Sequence, residues 1–153
     1  MRRPTVHTGY TLVTEHLACV KATLHRPGDN PFLPVAASDA RGTLHALDFD
    51  GARPGLVELI RSEPHVVRGN HVHLGCTELF TVITGEIRMY LLCECPERHV
   101  LEVPMTAGAT VTIPPGTAHA LYTDTPNESL AAFPDGDPRD DRDRVLLLEY
   151  NPT

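Results

Sequence analysis

Four residues of this 153-residue chain have types and a spacing that suggest chemistry: His71, His73, Glu78 and His119. All four bind divalent metals through nitrogen or oxygen. His71 and His73 stand two apart, so on a strand both imidazoles point to the same face. Glu78 follows Leu74-Gly75-Cys76-Thr77, a stretch that predicts a short reversal into the next strand and a carboxylate returned beside the histidines. His119 must be brought to them by folding. Three neutral imidazoles and one carboxylate leave a bound dication with a charge of about +1. In six-coordinate geometry two positions stay open for water, dioxygen or a pair of substrate oxygens. The residual charge would stabilise an enolate or alkoxide, which is Lewis-acid chemistry. Phe80 and Val82 share the parity of Glu78, and Leu121 that of His119, so they are expected to line the same interior. A partly apolar lining would strengthen the field of the ion.

Other candidates are weaker. His65 has the parity of His71 if the strand carries no bulge, and would then be a base near the mouth. Tyr90 and Arg88 share one face of the following strand. Tyr90 is a candidate general acid, and Arg88 a candidate for binding a substrate carboxylate or phosphate. Structure or solvent contact is the alternative for each. His7, His16, His25, His45 and His99 read as surface or rim residues. The cysteines are Cys19, Cys76, Cys93 and Cys95. Cys93-Glu94-Cys95 hints at a thiolate site, but with no second pair nearby the expectation is ordinary thiols in a reducing cytoplasm. Cys76 sits between ligands but is not needed as one.

The elements that position these residues read as short strands. Candidates are Thr43–Phe49, Leu56–Ile60, Pro64–Leu74, Thr77–Thr84, Glu86–Cys93, Val100–Met105, Thr110–Ile113, Ala118–Thr123, Leu130–Phe133 and Arg144–Tyr150. Alternation of Val20, Ala22 and Leu24 favours a strand over a helix before His25. Residues 26–34 form a loop, Asp50-Gly51 a turn, and Gly85 reads as a hairpin. Pro114 and Pro115 stiffen a turn at Gly116 that presents His119. Frequent turns between short strands indicate an all-β sandwich or barrel. Residues 134–143, PDGDPRDDRD, are expected to be a solvated acidic loop, with a lid or a second cation site as alternatives.

The totals bound the rest. The length fits one domain, divided here into an N-terminal arm with edge strands (residues 1–40) and a barrel (41–153). No apolar run approaches the ~18 residues of a membrane span. The start, MRRPTVHTGY, lacks the apolar core of a secretory signal, which favours the cytoplasm. A net charge of −7 argues against general nucleic-acid binding. Fourteen prolines, eleven glycines and no tryptophan suit a turn-rich chain.

The motif residues resemble the cupin superfamily. Its first motif has HxH, three or four residues, Glu, six residues and Gly; here these are His71-Val72-His73, Glu78 and Gly85. Its second has Gly, five residues, Pro-x-Gly, two residues, His, three residues and Asn; here Gly108, Pro114-Pro115-Gly116, His119 and Thr123. Two departures spare the ligand positions: Gly69 lies closer to His71 than the family's opening glycine does, and Thr123 stands for Asn. The resemblance covers roughly residues 40–150. It implies a double-stranded β-helix, the cupin or jelly-roll barrel, and one divalent metal ion on His71, His73, Glu78 and His119. Zinc is favoured, with iron, nickel or manganese as alternatives; a metal-free barrel that retains the motifs is also open. A homodimer is implied as well.

The run HVVRGNHVH with TELFTVITGE is similar to cupins of sugar-nucleotide pathways, among them 3,4-ketoisomerases and epimerases, and to natural-product polyketide cyclases. The expected function is therefore a small-molecule biosynthetic enzyme that uses the metal for redox-neutral isomerisation, epimerisation or cyclisation through an enolate. A non-haem iron dioxygenase and a non-catalytic small-molecule binding module are the alternatives.

Overall fold

The structure, a computed structural model, describes residues 3–49, 51–93 and 95–149. Asp50 of the expected turn, Glu94 of the Cys-Glu-Cys run, Tyr150 of the last strand and the chain ends of the two proposed regions lie outside them. The strands are β1 Thr5–Val6, β2 Thr11–Val13, β3 Thr23–His25, β4 Val35–Asp39, β5 Gly42–His45, β6 Leu56–Ser62, β7 Val67–His73 and β8 Glu78–Thr84. They continue with β9 Glu86–Leu92, β10 His99–Thr106, β11 Thr110–Ile113, β12 His119–Thr123, β13 Asn127–Phe133, β14 Arg142–Arg144 and β15 Leu148–Glu149. A 3-10 turn at Pro138–Asp140 interrupts the acidic stretch. Among the described residues no helix is long and apolar enough to cross a membrane.

Two sheets face each other in a jelly roll. One runs β14-β7-β12-β9-β10-β2 and the other β3-β11-β8-β13-β6. Their inner faces hold a core that includes Phe80, Val82, Ile87, Met89, Leu91, Met105, Val111, Ile113 and Phe133. Burying each such side chain is worth about 1.5–3 kcal/mol. A second cluster lies on the outer face of the six-stranded sheet: Val72, Tyr90, Val100, Ala118, Ala120 and Tyr122 pack under Leu147 and Leu148. Strands β2 and β3, from the segment expected as an arm, pair into the two sheets, while β4 and β5 form a separate exposed hairpin.

Two local expectations are corrected. Gly85 is not a hairpin turn, because β8 and β9 belong to opposite sheets. It is a corner with φ +82°, where an added Cβ would stand 2.4 Å from the Pro126 carbonyl oxygen. The chain likewise does not reverse into a paired strand after His73. It crosses from β7 in one sheet to β8 in the other, so Glu78 approaches the histidines from across the barrel. Sequence alternation alone does not distinguish a hairpin from a change of sheet, since both need a turn between apolar runs.

Strand β7 carries a bulge. His119 pairs with His71 and Ala120 with Gly69, leaving Asn70 as the extra residue. Gly69 and Asn70 both have positive φ, +83° and +56°. The Asn70 side chain accepts from the backbone N–H groups of Leu147 and Leu148 and donates to the Leu148 carbonyl. The bulge thus lets the ligand strand turn its histidines inward while Asn70 fastens the C-terminal segment to the outer face.

Candidate metal centre

His71 and His73 project from the end of β7, His119 from the start of β12 and Glu78 from the start of β8. The four ligand atoms lie within 4.8 Å of one another. His71 Nε2 is 3.1 Å from His119 Nε2, Glu78 Oε2 is 2.9 Å from His119 Nε2, and His73 Nε2 is 3.2 Å from Glu78 Oε2. Atoms ~2.1 Å from one ion and at right angles are about 3.0 Å apart. Those edges match the three contacts. Glu78 Oε2 is also buried without a hydrogen-bond partner, close to the Nε2 atoms of His73 and His119. An orphaned anionic oxygen amid converging imidazoles fits a divalent cation.

The outer nitrogens of two rings are held. His119 Nδ1 lies 3.0 Å from the Thr117 carbonyl oxygen, and His73 Nδ1 lies 3.3 Å from Asp141 Oδ1. Carbonyl and carboxylate oxygens only accept, so Nδ1 carries the proton and the Nε2 lone pairs point inward. Gly116 positions the turn ahead of His119: its φ is +86° and its N–H donates to the His73 carbonyl at 2.8 Å. Thr123, at the position of the family's asparagine, bonds the Glu63 carbonyl and the Val66 N–H, tying the chain ahead of β7 to β12.

The charges follow. Burial, with the neighbouring His119 and His73, pushes His71 down to about 4, so its ring is neutral at pH 7. Burial acts to raise Glu78, but His119 and His73 outweigh it and hold the carboxyl well below the usual carboxylate range. Burial acts to lower His119, and Glu78 outweighs it, so His119 is raised.

The cluster opens into a cavity of about 350 Å³ lined by Phe80, Met89, Leu121 and Phe133, with Glu58, Arg68 and Arg142 among its polar residues. Phe80 and Leu121 therefore lie where parity put them. Val82 joins the core below.

Three other candidates are not brought to the site. On β9 the inward residues are Ile87, Met89 and Leu91, so Arg88 and Tyr90 face outward. Tyr90 packs in the outer cluster and donates to Glu102 Oε2 at 2.7 Å. Arg88 pairs with Asp124 and lies over the Tyr122 ring. The corner at Gly85 sets this parity. His65, exposed and at φ +62°, sits with its Nδ1 2.8 Å from the Tyr122 hydroxyl. The bulge at Asn70 breaks the alternation that would have carried it inward.

Sequence reading missed Asp141, Glu58, Arg68 and Arg142. The acidic stretch is not a free loop: β14 pairs with β7, setting Arg142 opposite His73 and Arg144 opposite His71. Its carboxylates hold the crossover, with Asp141 accepting from Gly75 N–H and Asp135 from Thr77 N–H. The aspartates of PDGDPRDDRD were the available signal. Cys76 lies beside Asp141 and His73, outside the four-ligand cluster, and burial with the Asp141 carboxylate pushes its thiol up to about 12. The expectation of four free thiols is not met either, since Cys19 and Cys93 form a disulfide.

Two facing, mainly antiparallel sheets with the histidine–glutamate cluster between them define a cupin-fold protein. The sequence profile of the polysaccharide biosynthesis C-terminal domain matches residues 37–133, and the chain belongs to that family. Similar folds include a 3,4-ketoisomerase from Helicobacter canadensis, with a TM-score of 0.66 and 14% identity over 82% of this chain and 91% of that one. A sugar 3,4-ketoisomerase from Thermoanaerobacterium thermosaccharolyticum in complex with TDP aligns at TM-score 0.64 and 16% identity, over 80% and 87% of the two chains. A 3'-monoepimerase from Streptomyces bikiniensis in complex with dTDP-quinovose aligns at 0.66 and 19%, over 84% and 71%. No curated protein matches the chain.

Proposed function

We propose that this chain is a biosynthetic isomerase or epimerase of nucleotide-linked keto sugars, and that it works with one divalent metal on His71, His73, Glu78 and His119. The observation that carries the metal is the convergence of three Nε2 atoms and one carboxylate oxygen, with the outer nitrogens of His73 and His119 already engaged. The substrate class is supported by the similar folds, whose own ligands include TDP and dTDP-quinovose, and by guanidiniums at the cavity. A divalent ion held there supplies Lewis acidity toward a carbonyl oxygen.

The chain's own groups do the rest. Arg142 and Arg68 offer N–H donors to a diphosphate. Arg68 is already braced, its Nε donating to Ser62 Oγ at 2.8 Å. Phe80, Leu121 and Phe133 exclude water from the reacting carbons. Glu58 is the lining carboxylate outside the ligand set, and takes the role of removing and returning the proton next to the carbonyl. A homodimer fits the same reading: edge strand β6 leaves Val57 and Leu59 exposed at 46% and 54%.

A metal-free reading is favoured by one contact, the 2.9 Å approach of Glu78 to His119, which would make His119 an acid–base group oriented by a carboxylate. It leaves the inward aim of His71 and His73 without a purpose. Both readings are tested by incubating the chain with TDP-4-keto-6-deoxyglucose in deuterated water while following dissolved oxygen. The expected result is deuterium at the carbon beside the ketone, no oxygen uptake, loss of exchange on chelation and recovery with added metal. Exchange that survives complete metal removal would establish the metal-free reading. Oxygen consumption coupled to turnover would establish a dioxygenase instead.

A further inference from the structure

A second group of metal-binding side chains shares no residue with the histidine–glutamate cluster. The β9–β10 hairpin is closed by the Cys93 N–H donating to the His99 carbonyl at 2.8 Å, and Arg98 turns with φ +54°. This folds His99 back over Cys95, with Cys95 Sγ 3.6 Å from His99 Nδ1. Cys19, which lies 74 residues before Cys93, meets the same hairpin from the N-terminal segment. The sulfurs of Cys19, Cys93 and Cys95 all lie within 4.8 Å of one another.

A disulfide between Cys19 and Cys93 accounts for two of those sulfurs. It does not account for the third, which is 2.6 Å from Cys93 Sγ, nor for the imidazole beside it. We propose that, once a thiol or phosphine reductant has supplied two electrons, with two protons from solvent, to open the Cys19–Cys93 bond into two thiols, Cys19, Cys93, Cys95 and His99 form a second metal site that takes a borderline or soft divalent ion such as zinc.

The three sulfurs form one group, and His99 groups with Cys95 and Glu97, so a turn of its ring toward the thiols would complete a Cys3His set, the closed tetrahedral kind of structural sites. Ligands on one such ion sit about 3.5–3.8 Å apart; Cys95 and His99 have that separation, and Cys93 and Cys95, 2.6 Å apart, would open to it when the disulfide is released. Thiolates brought this close repel one another unless a cation lies between them, and binding releases the thiol protons to solvent. Cys93 is 2% exposed and Cys95 half-buried against the core, so an ion there would be shielded. The site would staple the N-terminal segment to the barrel, clear of the cavity that holds His71 and its partners.

Cobalt distinguishes the two centres, because only thiolate ligands give an intense charge-transfer band in the near ultraviolet. The chain, reduced with a phosphine under inert gas, is titrated with Co(II). The expected result is two equivalents bound, one of them with the thiolate band, and loss of that band alone in Cys19→Ser and in Cys95→Ser. Absence of the band in the reduced wild-type chain, or its persistence in Cys95→Ser, would overturn the proposal. A second measurement needs no variant. Zinc added to the reduced wild-type chain is expected to protect three thiols from a thiol-specific reagent, with buried Cys76 unaffected; equal reaction with and without zinc would also overturn it.

Discussion

His73 Nδ1 lies 3.3 Å from Asp141 Oδ1, and the other oxygen of that carboxylate accepts the Gly75 N–H at 3.0 Å. One side chain from the acidic stretch thus fixes both the tautomer of a ligand histidine and the crossover that leads to Glu78. Partners of this kind typically change metal affinity by about 10–100-fold when removed. Asp141→Asn is expected to weaken metal binding within that range while the chain stays folded, as read by competition with a chromophoric chelator. Unchanged affinity would show that Asp141 only braces the loop.

Tyr90 tests the boundary of the site from the other side. Its hydroxyl donates to Glu102 on the outer face of the sheet, away from the cavity. Tyr90→Phe is expected to cost about 1–2 kcal/mol of stability and to leave turnover within a factor of about two. Denaturant unfolding and steady-state rates check the two halves. A folded variant with a hundredfold lower kcat would place the phenol in catalysis after all.

Gly69 holds the bulge. A Cβ there would stand 3.0 Å from both Ala120 Cα and the His119 carbonyl oxygen, at a φ of +83° that side chains resist. Gly69→Ala is expected to lose about 2–3 kcal/mol in unfolding and to weaken metal binding with it, since β7 and β12 carry three of the ligands. Wild-type stability would mean that the bulge relaxes freely.

Arg142 extends from β14 at the cavity and is exposed. Charge-assisted hydrogen bonds are worth about 1.5–3 kcal/mol, so Arg142→Ala is expected to raise KM for a nucleotide sugar about 10-fold or more with little change in kcat. An unchanged KM would remove the guanidinium from substrate binding.

Much of this was legible in the chain. Turn spacing gave the all-β class, and the strand expected at Thr110–Ile113 is β11 residue for residue. The type and spacing of His71, His73, Glu78 and His119 picked out a cluster that the fold assembles. What was not legible depended on non-local geometry. A corner at Gly85 and a crossover at Leu74–Thr77 look like hairpin turns to local alternation, so Arg88 and Tyr90 were aimed at the wrong face. The extra residue in β7 shifted His65 outward, and Gly69-Asn70 is recognisable as a bulge only once β12 is paired against it. Asp141 was hidden among neighbouring aspartates that composition cannot tell apart. Cys19 was too distant in sequence from Cys93 and Cys95 to be counted with them.

The central claim is that three imidazoles and a carboxylate share a single cation. The direct measurement is metal content at equilibrium in the folded chain with Cys95→Ser, a background that removes the second proposed site, compared with the same chain carrying His73→Ala. The expected result is one divalent ion per chain in the first and none retained after dialysis in the second. Equal metal content in the two, or none in either after loading with zinc, iron, nickel and manganese in turn, would contradict it.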